Sequence, residues 1–187
     1  MEEYIVKVYP NRTEWSNKEY VVKVYPYRTE WFNKDGQLHR VDGPAVELAD
    51  GGKEWWLNGQ RHREDGPARE WPNGDKEWYL NGQRHREDGP AIEYANGNKE
   101  WFLNGKRHRE DGPAFEYNKG YKSWFLNGER HREDGPAIEY SDGRKFWYLN
   151  GEELTEEEFN QRTQPIQEMT MEEVCKALGK TIKIVKK

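Results

Sequence analysis

One phrase recurs through the middle of this chain with a fixed step of 23 residues, and it constrains the fold more than any other feature. Its histidine marks the step: His39, His62, His85, His108 and His131. Its tryptophan keeps the same step: Trp55, Trp78, Trp101, Trp124 and Trp147. A fixed period of this length is typical of stacked repeat proteins, because a single unit cannot bury its apolar surface alone. The sequence therefore predicts one elongated repeat array.

Each unit of the repeat reads as two strands joined by turns. Residues 76–80, Lys-Glu-Trp-Tyr-Leu, favour a strand, and the Asn81-Gly82 pair that follows is the strongest short turn signal. Residues 84–90 predict a polar connection, since proline supplies no donor to a sheet and glycine suits a tight bend. Residues 91–94, Ala-Ile-Glu-Tyr, predict the second strand. The fold is therefore expected to be mainly β, an elongated and twisted antiparallel meander of β-hairpin repeats.

Side-chain alternation along the first strand predicts rings on both faces of the sheet. Trp78 and Leu80 are expected on one face and Tyr79 on the other. One aromatic stripe is expected to form the core, and the second is either a contact surface or lies beneath a loop or the C-terminal segment. Rings of this kind are frequent interface anchors. The candidate protein-binding residues are Trp56, Tyr79, Phe102, Phe125 and Tyr148.

The two ends of the chain depart from the 23-residue unit. Residues 1–34 hold a shorter tandem duplication, with turns expected at Pro10 and Pro26, and they predict two hairpins that start the sheet. Residues 35–151 form the array. Residues 152–187 predict a small helix–helix–strand unit, which serves either as an end cap or as a docking tail.

Two local patterns support the helices and the strand of this tail. Thr155 and Thr170 are each followed three residues later by glutamate, which matches a capping box at a helix start. Gly179 is a natural helix terminator. Residues 181–185, Thr-Ile-Lys-Ile-Val, alternate as a strand does.

Composition narrows the classes of partner. A formal net charge of -5 gives no basic footprint for nucleic acid. There is one cysteine, Cys175, so a reducing compartment fits, and the Met-Glu-Glu start lacks the pattern of a signal peptide. No apolar run approaches the ~20 residues that span a bilayer. We expect a cytoplasmic protein that binds neither membrane nor nucleic acid.

The His-Arg-Glu-Asp phrase contains residue types that are common in catalytic and metal sites, but its role is expected to be structural. It resembles the catalytic loop of protein kinases, whose other motifs are lacking. Histidines two strands apart are separated by roughly 10 Å, too far to share one zinc ion. Fivefold repetition favours a role in stacking, so no catalytic residue, metal or cofactor is predicted. An alternative is an anion-binding ladder of arginines: Arg61, Arg63, Arg84, Arg86, Arg107, Arg109, Arg130 and Arg132.

The repeat unit resembles the MORN repeat, and more closely its variant form. Gly82, His85, Gly89, Tyr94 and Gly97 fall at places comparable to those of the MORN pattern. The resemblance covers about two thirds of the chain and is specific for fold, not for activity. It implies no catalytic residues.

The whole arrangement is also similar to small MORN-like repeat proteins of large tailed bacteriophages. The similarity rests on the Tyr-x-Val-Lys-Val-Tyr opening, the repeat phrases, and the tail motifs at 154–159 and 171–185. This resemblance implies a phage accessory protein in the bacterial host cytosol.

The sequence leaves three candidate functions open. The first is a non-catalytic scaffold that binds a host or phage protein, as an inhibitor of a bacterial defence or of a host enzyme. The second is a protein that sequesters a nucleotide-type ligand on the arginine and histidine ladder. The third is a self-assembling accessory protein that forms a homo-oligomer through an open sheet edge or the C-terminal tail.

Overall fold

The computed structural model describes residues 5–17, 20–164 and 170–179. Its main element is one antiparallel sheet of 15 strands that follow each other in chain order, which confirms the meander. The strands are β1 (Ile5–Tyr9), β2 (Arg12–Ser16), β3 (Val21–Tyr25), β4 (Arg28–Phe32), and then Val46–Leu48, Lys53–Glu54, Arg69–Glu70, Lys76–Glu77, Ile92–Glu93, Lys99–Glu100, Phe115–Glu116, Lys122–Ser123, Ile138–Glu139, Lys145–Leu149 and Glu152–Leu154.

The predicted continuous strand over 76–80 is wrong at Trp78, where the chain leaves the sheet. Tyr79–Leu80 pairs instead with Gln83–Arg84 in a separate two-stranded element, which we call a side hairpin. Trp78 is held by bonds on both sides of this break: its N–H donates to the Ala91 carbonyl at 2.8 Å, and its carbonyl accepts from the His85 N–H at 3.2 Å. The other side hairpins are Trp56–Leu57 with Gln60–Arg61, Phe102–Leu103 with Lys106–Arg107, and Phe125–Leu126 with Glu129–Arg130.

The side hairpins turn where the sequence predicted a turn. Asn81 has a φ of 50° and Gly82 a φ of 77°, the left-handed values that a tight two-residue hairpin turn requires. Consecutive side hairpins are also bonded to each other, since the Gly82 N–H donates to the Arg61 carbonyl at 2.9 Å. The hairpins therefore form a second row beside the sheet.

The core is narrow and repeats with the unit. Ile92 and Phe102 are buried together with Ala91, and Trp78 and Tyr94 pack against them. The alanine recurs fully buried in every unit, at Ala45, Ala68, Ala91, Ala114 and Ala137. Its carbonyl accepts the tryptophan N–H, so the same small residue fixes the same backbone bond along the array.

The ends confirm the local patterns. β1 with β2 and β3 with β4 form the two predicted hairpins. Helices α1 (Glu156–Thr163) and α2 (Met171–Leu178) each begin with a capping box, and Gly179 ends α2 with a φ of 60°. α1 contacts the last two sheet strands and buries Phe159.

The strand predicted for 181–185 lies outside the described residues. Within those residues, no helix has the length and apolar character needed to cross a membrane.

Candidate binding surface

Each polar connection is held by one arginine, and Arg86 shows the arrangement. Its Nε donates to Asp88 at 3.0 Å, and its Nη1 donates to the Pro90 carbonyl at 3.2 Å and to Glu93 at 2.9 Å. Its guanidinium lies 4.1 Å from the centre of the Trp78 ring. Hydrogen bonding by Arg86 also lowers the pKa of Asp88. The same three acceptors and ring surround Arg40, Arg63, Arg109 and Arg132.

The guanidinium explains the glycine of the connection. A Cβ added to Gly89 would lie 2.9 Å from Cζ of Arg86, which is closer than side chains approach each other. The Arg-x-Asp-Gly-Pro segment therefore provides the space and the acceptors that hold the arginine of its own unit, and we call this arrangement the arginine seat.

These arginines do not line an open anion site. Arg63, Arg86, Arg109 and Arg132 already face two carboxylates each. A bound phosphate would have to compete with those carboxylates for the guanidinium group. The geometry thus gives no support to the predicted nucleotide ladder at these four positions.

The histidines connect neighbouring units. The backbone N–H of Asn81 donates to Nδ1 of His62 at 3.2 Å, across 19 residues of sequence. The same bond joins His39, His85 and His108 to the asparagine of the next side hairpin, and it joins His131 to Asn150, in the turn between the last two sheet strands. Among the described residues, no three His, Cys, Asp or Glu side chains are placed to hold one metal ion.

The predicted protein-binding rings and half of the predicted anion-binding arginines form one alternating row, which we call the aromatic–arginine ladder. Arg84 lies 5.8 Å from the Tyr79 ring centre and 5.5 Å from that of Phe102. Arg107 lies 5.5 Å from Phe102 and 5.6 Å from Phe125. The ladder consists of Trp56, Arg61, Tyr79, Arg84, Phe102, Arg107, Phe125, Arg130 and Tyr148.

Burial varies along the ladder. Phe102 is 8% exposed and belongs to the core cluster. The rings of Trp56, Tyr79, Phe125 and Tyr148 are partly buried. Cation–π contacts of this kind contribute about 0.5–1 kcal/mol each at exposed sites. The ladder is therefore both a structural support and a surface of ordered rings and guanidinium groups.

A glutamate partners the ladder arginine in three units. Arg61 lies 3.2 Å from Glu54, and Arg107 lies 2.8 Å from Glu100. Arg84 and Glu77 are farther apart, at 3.6 Å. These carboxylates were not singled out by sequence reasoning, although their 23-residue spacing was visible.

The fourth unit breaks this pattern at Ser123. The serine occupies the position of the glutamate, is buried, and its Oγ has no hydrogen-bond partner. Within the part of the chain that the structure describes, no carboxylate forms an ion pair with Arg130. Arg130 nevertheless keeps its place, 5.8 Å from the Phe125 ring centre and 5.3 Å from that of Tyr148.

A tyrosine hydroxyl also donates a hydrogen bond to one of these carboxylates. Tyr94 donates to Glu100 at 3.0 Å, and burial, with the nearby Glu100 charge, raises the pKa of Tyr94 from 10.0 to about 12. The folded state therefore favours the protonated phenol. Its contribution to stability is present below pH 10 and is lost as the pH rises through about 12.

We expect Tyr94→Phe to flatten the alkaline loss of stability. Free energies of unfolding in urea, measured between pH 8 and 12, should fall less steeply with pH in the variant than in the wild type. Tyr27→Phe changes an exposed phenol and is the control. Equal slopes for all three proteins would contradict the assignment.

Four similar clefts lie between consecutive connections. They have volumes of about 570 to 690 Å³, and one of them is lined by Trp101, Leu103 and His108. Glu64, Glu87, Glu110 and Glu133 stand largely exposed at the tips of the connections. Because the cleft recurs with the repeat, its shape follows from the scaffold.

Comparison with known protein families, with curated proteins and with solved structures gives no match for this chain.

Proposed function

We propose that this chain is a non-catalytic protein-binding scaffold whose partner docks on the aromatic–arginine ladder near Arg130. The observation that carries the proposal is a guanidinium held between the rings of Phe125 and Tyr148 with no ion pair among the described residues. Tyrosine and arginine are the residue types that most often dominate binding energy at interfaces. Stacking orders this side chain before binding, which reduces the entropy lost on association.

The surroundings of Arg130 indicate that the partner supplies an acidic group. Each ladder arginine of the first three units has a carboxylate neighbour. These neighbours are Glu54, Glu77 and Glu100. In the fourth unit Ser123 takes the place of that glutamate, beside Arg130. An aspartate or glutamate from a partner would complete the set with a charge-assisted hydrogen bond.

The resemblance to phage proteins extends the proposal to the partner's origin. The partner would be a host or phage protein in the bacterial cytoplasm. Inhibition of a bacterial defence protein or of a host enzyme is the effect that such binding would have.

The test is capture from a bacterial lysate with matched charge variants. We expect tagged wild-type chain to retain a specific protein, and Arg130→Glu to weaken its binding at least tenfold, or about 1.4 kcal/mol. Arg144→Glu makes the same change at an exposed position beside Asp142 and should bind as the wild type does. Affinity is then measured by calorimetry with the purified partner.

Two controls separate binding from folding. Melting temperatures of the variants should agree with that of the wild type within a few degrees. Arg130→Met keeps an unbranched side chain over the rings but removes the charge, so it should also weaken binding. Equal binding by the wild type and both Arg130 variants would contradict the proposal.

A further inference from the structure

β1 (Ile5–Tyr9) is the first strand of the sheet, and among the residues that the structure describes it has a strand neighbour on one side only. It pairs with β2, and no other described strand pairs with it. An edge of this kind presents unpaired backbone donors and acceptors to any extended chain that reaches it. The question is which chain this edge fits.

The duplicated strand β3 supplies the answer, because it has nearly the same sequence and both of its sides are occupied. β1 reads Ile-Val-Lys-Val-Tyr and β3 reads Val-Val-Lys-Val-Tyr. The strands beside β3 are β2 and β4, which share the sequence Arg-Thr-Glu-Trp. The surroundings of β3 therefore show what a fully paired copy of β1 looks like.

The register gives the chemistry residue by residue. On its two sides Lys23 faces Glu14 and Glu30, and Val22 faces Trp15 and Trp31. In β1 the equivalent Lys7 and Val6 face one such set, Glu14 and Trp15, and Val8 faces Thr13.

Burial differs in the way this pairing predicts. Val22 is 0% exposed, whereas the equivalent Val6 is 61% exposed. Val24 is 38% exposed, whereas Val8 is 79% exposed. The second neighbour of β3 thus covers apolar surface that β1 leaves in contact with water.

We propose that the free edge of β1 binds an extended segment of another protein by strand addition. The segment runs antiparallel to β1, sets an acidic side chain opposite Lys7, and places aromatic or β-branched side chains opposite Val6 and Val8. Backbone hydrogen bonds supply affinity in this mode of recognition, and alternate side chains supply specificity. Opposite charges directly across two strands are favourable, and like charges are not.

The pairing geometry disfavours a second copy of this chain as the occupant. β2 already lies between β1 and β3, and β4 lies between β3 and Val46–Leu48. A second copy would offer its own β1, and antiparallel pairing in register would set Lys7 against Lys7. Arg130 lies in a side hairpin that is separate from the sheet to which β1 belongs, so this inference does not rest on the proposed function.

The test uses a peptide taken from the chain itself. A fluorescein-labelled peptide with the sequence of residues 27–33, Tyr-Arg-Thr-Glu-Trp-Phe-Asn, is titrated with the full chain and followed by fluorescence anisotropy. We expect saturable binding by the wild type. Val8→Asp should weaken it at least tenfold, whereas Val41→Asp, the same change at a valine that is 73% exposed elsewhere, should have no effect.

A charge exchange tests the register. Lys7→Glu should lose the peptide and should gain binding of a second peptide in which lysine replaces glutamate. This gain distinguishes a lost contact from a disordered β1, since an unfolded strand would bind neither peptide.

Three outcomes would overturn the proposal. They are the absence of binding by the wild type, unchanged binding by Val8→Asp, and light scattering that shows a dimer which Val8→Asp dissociates. The last outcome would assign the edge to a second copy.

Discussion

Replacing Phe102 with alanine is expected to lower the free energy of unfolding by about 3 to 5 kcal/mol, the usual cost of removing a buried phenylalanine. Phe102 packs with Ala91 and Ile92 in the core, and its ring lies 5.5 Å from the guanidinium groups of both Arg84 and Arg107. The substitution therefore opens a cavity and removes two cation–π contacts at once. Urea denaturation followed by tryptophan fluorescence measures the loss.

Phe125→Ala is the matched control, because it makes the same change one unit further along the ladder. Phe125 also lies between two arginines but is only partly buried. We expect a smaller loss of stability, since less apolar surface leaves the interior. Equal losses for the two variants would contradict the view that Phe102 alone among the ladder rings is a core residue.

The burial of Phe102 also bears on how binding is tested. A variant of this residue would weaken binding through loss of stability, whether or not the ring contacts a partner. The charge of Arg130 is a better probe, because its guanidinium lies at the surface between rings that remain in place.

Much of the fold could be predicted because the signals are local and repeat. The Asn81-Gly82 pair fixes a turn by its own backbone preferences, and the structure has the expected positive φ values there. The capping boxes at Thr155 and Thr170 are likewise contained within four residues. Repetition then turns one correct local prediction into a correct array.

The departure of the chain from the sheet at Trp78 could not be predicted, because its cause is not local. Alternation assumes an unbroken strand, but the two backbone bonds of Trp78 go to His85, on the connection, and to Ala91, directly before the strand that follows. The side hairpin forms because the chain returns to make those bonds. The residue pattern over 76–80 alone cannot predict these bonds, because both partners lie outside that segment.

The ladder was predicted in its parts but not in its assembly. The rings and the arginines were both identified from the sequence, as candidates for different functions. Arg84 contacts Tyr79 of its own unit and Phe102 of the next, and only the stacking distance between units brings these together. The column Glu54, Glu77, Glu100, Ser123 is visible in the sequence, and its meaning depends on the same stacking.

The arginine of the connection has a different task, and its removal is expected to cost nearly as much as that of Phe102. Arg86→Ala should lower the free energy of unfolding by about 2 to 4 kcal/mol, because hydrogen bonds to charged groups and a cation–π contact are lost together. The variant also leaves the Pro90 carbonyl without this donor. Urea denaturation gives the value.

Two comparisons decide whether the geometry of the guanidinium matters or only its charge. Arg86→Lys keeps the charge but lacks the planar fork that reaches Asp88, Pro90 and Glu93, so it should recover only part of the loss. Arg144→Ala removes an arginine that is 63% exposed and paired with Asp142, and it should cost less than about 1 kcal/mol. Full recovery by lysine would mean that the connection needs a positive charge alone. A loss at Arg144 as large as that at Arg86 would mean that ion pairs throughout the surface, rather than the seat under the connection, stabilise the array.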